Sequence, residues 1–177
     1  MFKSLVINKD DSQGYHTQVK ELNEADLQDG DVLIKVLYST INYKDALAIS
    51  GKAPVVRRFP MIPGIDLVGV VEQCDNSKFV VGQHVLLNGY GVGEKYLGGL
   101  SQKARINSEF LIPLPKSITP FNAMAIGTAG YTAMLSVMAL EKQGITPESG
   151  SILVTGATGG VGSFAIRILA ELGYSIT

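Results

Sequence analysis

The sequence predicts a mixed β then α/β fold, in which a small and partly open β-barrel precedes the first β-α unit of a nucleotide-binding fold. Three observations support this prediction. Short apolar runs, separated by glycine and proline, fill the chain up to about Pro115. The pattern becomes helical after Thr119-Pro120. The stretch from Ser151 to Leu172 then has the pattern of a strand at residues 152–155, a glycine turn at residues 156–162 and a helix.

The first region is predicted to be mostly strands. Its apolar runs predict strands at residues 4–7, 17–22, 32–41, 65–74, 85–88, 101–106 and 110–113. A helix is expected from Asn42 to Ser50, with Gly51 as its C-terminal stop. Gly69 lies inside the predicted strand 65–74 and indicates a bulge or a close backbone contact.

A domain boundary is predicted near residues 117 to 122. Thr119 can cap a helix whose first position is Pro120. The stretch from Phe121 to Leu140 is long and apolar, with a break at the Gly127-Thr-Ala-Gly130 run. We therefore expect one domain over residues 1–121 and part of a second domain over residues 122–177.

The glycine turn between Gly156 and Gly162 predicts nucleotide binding. Gly159 and Gly160 have no Cβ, so a pyrophosphate can approach their backbone closely. The first turn of the following helix offers unpaired N–H groups and the positive end of the helix dipole. The spacing is GxxGxxG instead of GxGxxG, and glycine turns also occur where nothing binds. The apolar residues that follow lie on one helix face, which favours binding: Val161, Phe164, Ala165, Ile168, Leu169 and Leu172.

Composition excludes several classes of function. The net charge is −1 at pH 7, so the sequence shows no basic surface for nucleic acid or for a membrane. The single cysteine, Cys74, rules out an internal disulfide and a cysteine-rich zinc site. The N-terminus does not have the pattern of a secretory signal, and no segment is expected to have the ~20 apolar residues of a membrane span. We therefore expect a cytoplasmic protein.

The α/β region is expected to be a fragment. A nucleotide-binding fold needs about six strands with helices on both faces. The sequence provides one strand, one helix and the beginning of a second strand. The helix face of Phe164, Ile168 and Leu172 would then lack its sheet. We expect this face to be partly exposed or covered by another chain.

Five runs of the sequence resemble the medium-chain dehydrogenase/reductase superfamily. They are INYKDALAISG (41–51), RRFPMIPGIDLVGVV (57–71), GYGVGE (89–94), GTAGYTAM (127–134) and TGATGGVG (155–162). Within the superfamily they resemble the zinc-independent quinone-oxidoreductase group, most closely its NADPH-dependent acryloyl-CoA reductase branch. The resemblance implies a GroES-like catalytic and substrate domain over residues 1–121. Residues 122–177 would be the N-terminal, incomplete part of a Rossmann domain, with NADP(H) bound in the cleft between the two.

The resemblance also implies a site without a metal. Zinc-dependent relatives have a cysteine at the start of the first helix and a His-Glu pair after the Pro-Gly. This sequence has Asn42 and Ile65-Asp66 at those positions. Neither histidine, His16 or His84, has the spacing of a zinc ligand.

Tyr43 is the residue that the resemblance places against the cofactor, and it is the candidate proton donor. A tyrosine at a helix start is otherwise more often a packing residue. Asn42 could donate to a substrate carbonyl or cap its helix, and Asp45 is expected to make a structural hydrogen bond. The other expected cofactor-binding residues surround the pyrophosphate with backbone N–H groups: Thr158, Gly159, Gly160 and Val161.

Three further features have two interpretations each. The pair Arg57-Arg58 either binds phosphates of coenzyme A or is simply solvated. Thr128 either lines the nicotinamide side of the site or belongs to a kink in a buried helix. The loop from Gly89 to Gly99 is expected to form part of the substrate wall, and no helix follows it to make a phosphate loop.

The leading hypothesis is hydride transfer from NADPH to the activated C=C bond of an enoyl thioester such as acryloyl-CoA. Without a Lewis acid, this reaction is easier than alcohol oxidation because the carbonyl delocalises the developing charge. The alternatives are a quinone or enone reductase, a protein that binds NADPH without turnover, and a GroES-like interaction module. We expect a small-molecule substrate and a homodimer, and no activity from these 177 residues alone.

The preference for NADPH over NADH rests on the resemblance alone. The deciding residue lies about 20 positions after the glycine turn, at the end of the second strand. The sequence ends at Thr177, before that position.

Overall fold

A computed structural model describes residues 1–10 and 14–177. The described chain divides into two compact units, Met1–Ala125 and Ile126–Thr177. The first unit consists mainly of strands and the second mainly of helices. The predicted order, a β-rich region followed by a helical one, is therefore confirmed.

The first unit contains two antiparallel sheets. A hairpin of β1 (Phe2–Asp10) and β2 (Gly14–Leu22) forms the smaller sheet. The larger sheet has the strand order β6-β3-β4-β5-β7. Its members are β3 (Val32–Ser39), β4 (Asp66–Cys74), β5 (His84–Asn88), β6 (Lys103–Ile106) and β7 (Ile112–Pro113). Among the described residues, the two edge strands do not pair with each other, so no closed barrel forms.

Successive side chains along these strands point to opposite faces of the sheet, and those on one face form a core. The core residues have almost no exposed surface: Val32, Ile34, Leu67, Val71, Val85, Leu87 and Ile106. Gly69 on β4 allows the close contact that the sequence predicts. A Cβ at this position would lie 2.4 Å from Ile34 Cγ2 and 2.4 Å from the Lys35 carbonyl oxygen. The register between β3 and β4 also shifts between Val36 and Tyr38, so the predicted bulge or close contact is confirmed.

Several predicted strand boundaries are wrong. β1 and β2 are longer than residues 4–7 and 17–22, and β6 begins at Lys103 instead of residue 101. β3 ends at Ser39 instead of residue 41, because the chain turns towards the helix that Asn42 caps. The predicted strand at 110–113 is shortened because a 3-10 helix occupies Ser108–Phe110. The side chain of Asn107 starts that helix by accepting a hydrogen bond from the Glu109 N–H at 2.8 Å.

The helix α1 (Tyr43–Ser50) follows its sequence signals closely. Asn42 is its N-cap, with an extended backbone (φ −97°, ψ 166°), and Gly51 ends it in the left-handed conformation (φ 67°). The predicted helix and its stop are therefore confirmed.

The expectation that no segment has the length and apolar composition of a membrane span is wrong for the helix α2 (Pro120–Lys142). By length and composition alone it could cross a membrane, a test that core helices of soluble proteins also pass. Its backbone is non-helical at Gly127 (φ 50°, ψ −162°), within the predicted break. The kink leaves helical stretches at 120–126 and 128–142, and neither has the ~20 residues of a span.

The second unit contains the glycine turn and α3 (Gly160–Glu171). The predicted strand at 152–155 is wrong as a full strand, because only one bridge forms, between Ile152 and Ile176 in parallel orientation. Two backbone hydrogen bonds support it, from Ile152 N–H to the Ser175 oxygen at 2.8 Å and from Val154 N–H to the Thr177 oxygen at 3.0 Å. A ladder of this length is too short to count as a strand.

Apolar side chains of α3 line an open depression of about 370 Å³ together with Met134 of α2. Leu172 is 43% exposed, and Phe164 and Ile168 are half-buried. The predicted partial exposure of this helix face is confirmed. On the opposite side, Leu169 packs with Val137 and Tyr174 in the small core of the unit.

Candidate functional site

A buried carboxylate joins three elements of the first unit. Asp66, the first residue of β4, has no exposed surface. Its Oδ2 accepts a hydrogen bond from Asn42 Nδ2 and its Oδ1 accepts one from Asn88 Nδ2, both at 2.8 Å. Asp66 and Asn88 are paired residues of β4 and β5, so the sheet register brings them together. We call Asn42, Asp66 and Asn88 the amide–carboxylate cluster.

Asp45 ties the start of α1 to the loop before β4. Its Oδ2 accepts the Asn42 N–H at 2.8 Å, and its Oδ1 accepts the N–H groups of Gly64 at 3.0 Å and Ile65 at 3.1 Å. Burial raises the pKa of the Asp45 carboxyl, and these hydrogen bonds act in the opposite direction. The predicted structural hydrogen bond of Asp45 is confirmed, and it fixes Asn42 next to the chain that leads to Asp66.

Asn42 performs one of its two expected tasks in the structure. It occupies the N-cap of α1 and forms a capping box with Asp45. One N–H of its side-chain amide donates to Asp66, which fixes the orientation of the amide. Donation to a substrate carbonyl by this residue stays a prediction. Asn88 was missed, because an amide at the end of an apolar strand carries no motif of its own.

Two members of the cluster, Asn42 and Asp66, occupy positions at which the resemblance expects the ligands of zinc-dependent relatives. Zinc requires three or four S, N or O ligands in a tetrahedral arrangement. Here one carboxylate accepts hydrogen bonds from two amides, a donor set that does not fit zinc. Within residues 1–10 and 14–177, no three His, Cys, Asp or Glu side chains are placed to hold a metal ion together.

Tyr43 is the first residue of α1, and its side chain is 81% exposed. The role of Tyr43 towards a cofactor, or as a packing residue, stays a prediction. The ring can reach a ligand at the surface of the first unit, next to the amide–carboxylate cluster in the sequence.

The loop at 89–99 is held against α1 by charge. Lys44 Nζ lies 2.7 Å from Glu94 Oε1, and the Glu94 carbonyl accepts the Arg57 N–H at 2.9 Å. Within the loop, Tyr90 has a left-handed backbone (φ 54°) and its ring stacks on Phe110 with centroids 5.0 Å apart. The loop therefore contacts α1 at Lys44, the residue that follows Tyr43. Its role as a substrate wall stays a prediction.

The predicted phosphate ligands stand on a tight glycine turn. The Gly159 N–H donates to the Gly156 oxygen at 2.9 Å. Gly156 is left-handed (φ 63°). A Cβ at the buried Gly162 would lie 2.3 Å from the same oxygen, so only glycine fits there. A Cβ at Gly160 would meet Ala129 Cβ at 3.2 Å, so Gly160 also serves packing against α2.

The turn presents unpaired donors at the start of α3. Gly159 is the N-cap and provides no side-chain cap. The helix ladder begins with the Ser163 N–H, which donates to the Gly159 oxygen at 2.9 Å. The N–H groups of Gly160 and Val161 therefore precede the ladder, and residues 158–161 are exposed. An exposed helix N-terminus without side-chain caps fits a pyrophosphate.

The arginine pair is exposed, and Arg58 Nη2 donates to Gln28 Oε1 at 3.0 Å. These contacts do not decide whether the pair binds phosphates of coenzyme A or is simply solvated. The kink predicted for the Gly127-Thr128 stretch is present, and a role for Thr128 towards a nicotinamide stays a prediction.

Residues 28–116 match the alcohol dehydrogenase GroES-like domain family. The chain belongs to this family. The GroES-like match covers β3 to β7, including the whole amide–carboxylate cluster. The predicted resemblance to medium-chain dehydrogenases/reductases and the predicted fold class are thereby confirmed.

Three comparisons extend over nearly the whole GroES-like chain. The acrylyl-CoA reductase AcuI of Ruegeria pomeroyi is 50% identical over 99% of this chain and 54% of its own length. The yhdH oxidoreductase of Salmonella enterica, solved in complex with NADP, is 49% identical with a TM-score of 0.95, over 98% of this chain and 53% of its own. The Bacillus subtilis protein yhfP, a putative quinone oxidoreductase solved with NAD bound, is 44% identical with a TM-score of 0.92, over 99% and 53%.

The chain thus spans about half the length of the relatives that it matches.

Proposed function

We propose that this chain forms part of an NADPH-dependent reductase that transfers a hydride to the activated C=C bond of an enoyl thioester such as acryloyl-CoA. The main support is the 50% identity with an acrylyl-CoA reductase, which runs through both units and includes the glycine turn. In this proposal, residues 1–121 are the catalytic and substrate domain. Residues 122–177 are the first part of the dinucleotide-binding domain.

The proposed cofactor ligands are four residues of the glycine turn and Tyr43. NADPH, when bound, supplies the hydride. The exposed residues Thr158, Gly159, Gly160 and Val161 line its pyrophosphate at the positive end of α3. The N–H groups of Thr158, Gly160 and Val161 donate to it, whereas Gly159, whose N–H is held by the Gly156 oxygen, allows close approach. Tyr43 donates a hydrogen bond from its exposed phenol to the cofactor, and it is the candidate proton donor. A cytoplasmic location and a homodimer belong to the same proposal.

The amide–carboxylate cluster supports a reaction without zinc. Negative charge develops on the carbonyl oxygen of the substrate during hydride addition, and a preorganised N–H donor would stabilise it. Asn42 is the nearest such donor in the sequence to Tyr43, and Asp66 with Asp45 keeps it from reorienting. A fixed amide loses little entropy when it binds an oxygen, which is the advantage of this arrangement.

A quinone or enone reductase is the second candidate, because the Bacillus subtilis relative is named a putative quinone oxidoreductase and binds NAD in its crystal structure. Both candidates use the same glycine turn, and they differ in the need for a thioester. NADH is accordingly a second cofactor to test.

A chimera tests the proposal. The part of the Ruegeria pomeroyi relative that follows the matched region is joined after Thr177, and NADPH consumption is measured with acryloyl-CoA, with a quinone and without acceptor. We expect the highest kcat/KM with acryloyl-CoA. Faster consumption with the quinone would favour the second candidate. Dinucleotide binding without any turnover would favour a non-catalytic NADPH-binding protein, and no binding would favour an interaction module.

A further inference from the structure

Three aromatic rings form an exposed surface beside the loop at residues 89–99. The Tyr90 ring stacks on Phe110 with centroids 5.0 Å apart and planes inclined by 15°, and the Tyr96 ring lies against the same Phe110 at 5.5 Å. Phe110 packs in turn on the core of the larger sheet, which anchors the surface. Tyr90 is 61% exposed and Tyr96 is 40% exposed. We call Tyr90, Tyr96 and Phe110 the aromatic platform.

The backbone of Tyr90 adopts an unfavourable conformation. Among the residues that the structure describes, Tyr90 is the one non-glycine residue in the left-handed region (φ 54°), between Gly89 (φ 85°) and Gly91 (φ 76°). Bulky residues rarely adopt this conformation, and those that do are concentrated at functional sites. Phe110 covers one face of the Tyr90 ring. Because the residue is nevertheless mostly exposed, the other face is accessible to a flat ligand.

A lysine lies beside the platform. A Cβ at Gly91 would lie 3.8 Å from Lys95 Cδ and 3.8 Å from Tyr96 Cδ2, so both side chains pass over the residue that follows Tyr90. Lys95 is exposed and forms no ion pair with any described residue. Its ammonium group is therefore available to an anion.

The carboxylates near the platform do not cancel this charge. Glu94 Oε1 lies 2.7 Å from Lys44 Nζ, and Glu109 Oε1 lies 3.0 Å from Lys78 Nζ. Each of these two glutamates is thus paired with a lysine other than Lys95. The platform combines flat apolar rings with a positive charge, which is what a nucleotide requires.

The platform lies close to the amide–carboxylate cluster. Tyr90 follows Asn88 by two residues, so their Cα atoms are at most about 7 Å apart. Gly89, between them, is held in place because its N–H donates to the Ile65 oxygen at 2.8 Å. Ile65 directly precedes Asp66 of the cluster. A ligand that reaches the cluster can therefore also contact the platform.

We propose that the aromatic platform binds the adenine ring of coenzyme A, with Lys95 Nζ on a phosphate group of the same nucleotide. This inference rests on the proposed function, in which the substrate is a coenzyme A thioester. Aromatic side chains bind nucleobases by stacking, and lysine binds phosphate as a point charge. The pantetheine arm is a long flexible chain that joins the adenine on Tyr90 to the thioester near the cluster. An uncharged quinone would use the rings without Lys95.

Binding to the 177-residue chain tests this subsite without turnover. The chain is labelled with ring-¹³C tyrosine and titrated with adenosine 3′,5′-bisphosphate, the nucleotide part of coenzyme A, and separately with pantetheine, which lacks the nucleotide. We expect saturable shifts of the Tyr90 and Tyr96 signals with the bisphosphate only, and no shift of Tyr174 in the second unit. No Tyr90 shift, or an equal shift with pantetheine, would overturn the proposal.

Matched substitutions separate the ring from the charge. Tyr90→Leu removes the stacking face and should weaken bisphosphate binding at least about fivefold, whereas Tyr90→Phe keeps the ring and should bind nearly as wild type. Lys95→Met should weaken binding by about threefold, with the exposed Lys116→Met as its control. Undiminished affinity in Tyr90→Leu would overturn the proposal. If that variant does not fold, undiminished affinity in Lys95→Met would do so.

Turnover by the chimera assigns the platform to the substrate instead of the cofactor. Tyr90→Leu should lower kcat/KM for acryloyl-CoA at least about fivefold and leave kcat/KM for acryloyl-pantetheine and the KM for NADPH unchanged. Equal losses with both thioesters, or a change confined to the KM for NADPH, would overturn the proposal. A wild-type chimera without activity would refute the proposed function, while bisphosphate binding to the 177-residue chain would still decide the subsite.

Discussion

Gly162→Ala tests whether the glycine turn is built for close approach. The added Cβ would lie 2.3 Å from the Gly156 oxygen, 2.8 Å from the Gly156 carbonyl carbon and 3.0 Å from Ala157 Cα. All three atoms belong to the backbone, so no side-chain rotation relieves the clash, and the turn must move. Overpacking of this kind costs about 1–3 kcal/mol. The better helix propensity of alanine offsets about 1 kcal/mol. We expect a net loss of roughly 0–2 kcal/mol in the free energy of unfolding.

The same displacement should affect binding more than stability. The Gly159 N–H is held by the Gly156 oxygen, so moving that oxygen also moves the donors that would face the pyrophosphate. Loss of one hydrogen bond to a charged group corresponds to about 1.5–3 kcal/mol, or at least about a tenfold weaker affinity for dinucleotide. Urea denaturation of the 177-residue chain and NADPH fluorescence titration of the chimera measure the two effects. Ser163→Ala, at the next and exposed position of α3, is the control. Unchanged NADPH affinity in Gly162→Ala would refute the reasoning.

Three further predictions concern single side chains. Thr158→Asp places a negative charge beside the proposed pyrophosphate site. Two like charges about 4 Å apart repel each other by about 1–4 kcal/mol, so we expect at least a fivefold weaker NADPH affinity in the chimera. Thr158→Asn should bind nearly as wild type, and equal loss in both variants would contradict the electrostatic reason. Tyr43→Phe should weaken NADPH binding by about three- to tenfold, because it removes one hydrogen bond. The control Tyr131→Phe should leave NADPH binding unchanged. An unchanged dissociation constant in Tyr43→Phe would show that Tyr43 does not bind the cofactor. Burial acts to raise the pKa of Asp31, but hydrogen bonds from the Ser108 O–H and N–H prevail and lower it. A lowered folded-state pKa stabilises the fold above the unfolded value, and this stabilisation is lost as the pH falls through the folded-state pKa. Asp31→Asn should therefore be less stable by roughly 1 kcal/mol at pH 7, and the difference should shrink as the pH is lowered below 3.8. A difference that stays constant on acidification in urea denaturation would contradict this.

Features with a local signal could be predicted from the sequence. Asn42 and Gly51 define both ends of α1 because capping and the left-handed stop involve only neighbouring residues. Gly69 indicated a close backbone contact because a missing side chain in a buried strand needs a reason. The turn from Gly156 to Gly162 could be predicted for the same reason, because its backbone conformation and close contacts require glycine at particular positions.

Features that depend on long-range pairing could not be predicted. Asn88 meets Asp66 only because β4 and β5 pair in one particular register. The strand predicted at 152–155 forms only a bridge, because strand formation depends on how many residues of a neighbour are available to pair. A cavity lined by Asn8 and Met61 lies between the β1–β2 hairpin and the loop at residues 60–62. No local sequence pattern predicts it.

The most direct test of the proposed reaction follows the hydrogen itself. The chimera is supplied with acryloyl-CoA and with NADPH that carries deuterium at both positions on C4 of the nicotinamide, and the product is examined by mass spectrometry and NMR. Hydride addition to the activated C=C bond predicts propionyl-CoA with one deuterium at the carbon farthest from the carbonyl, and no product when NADPH is omitted. Consumption of NADPH without deuterated propionyl-CoA, or deuterium at another carbon, would contradict the proposed function.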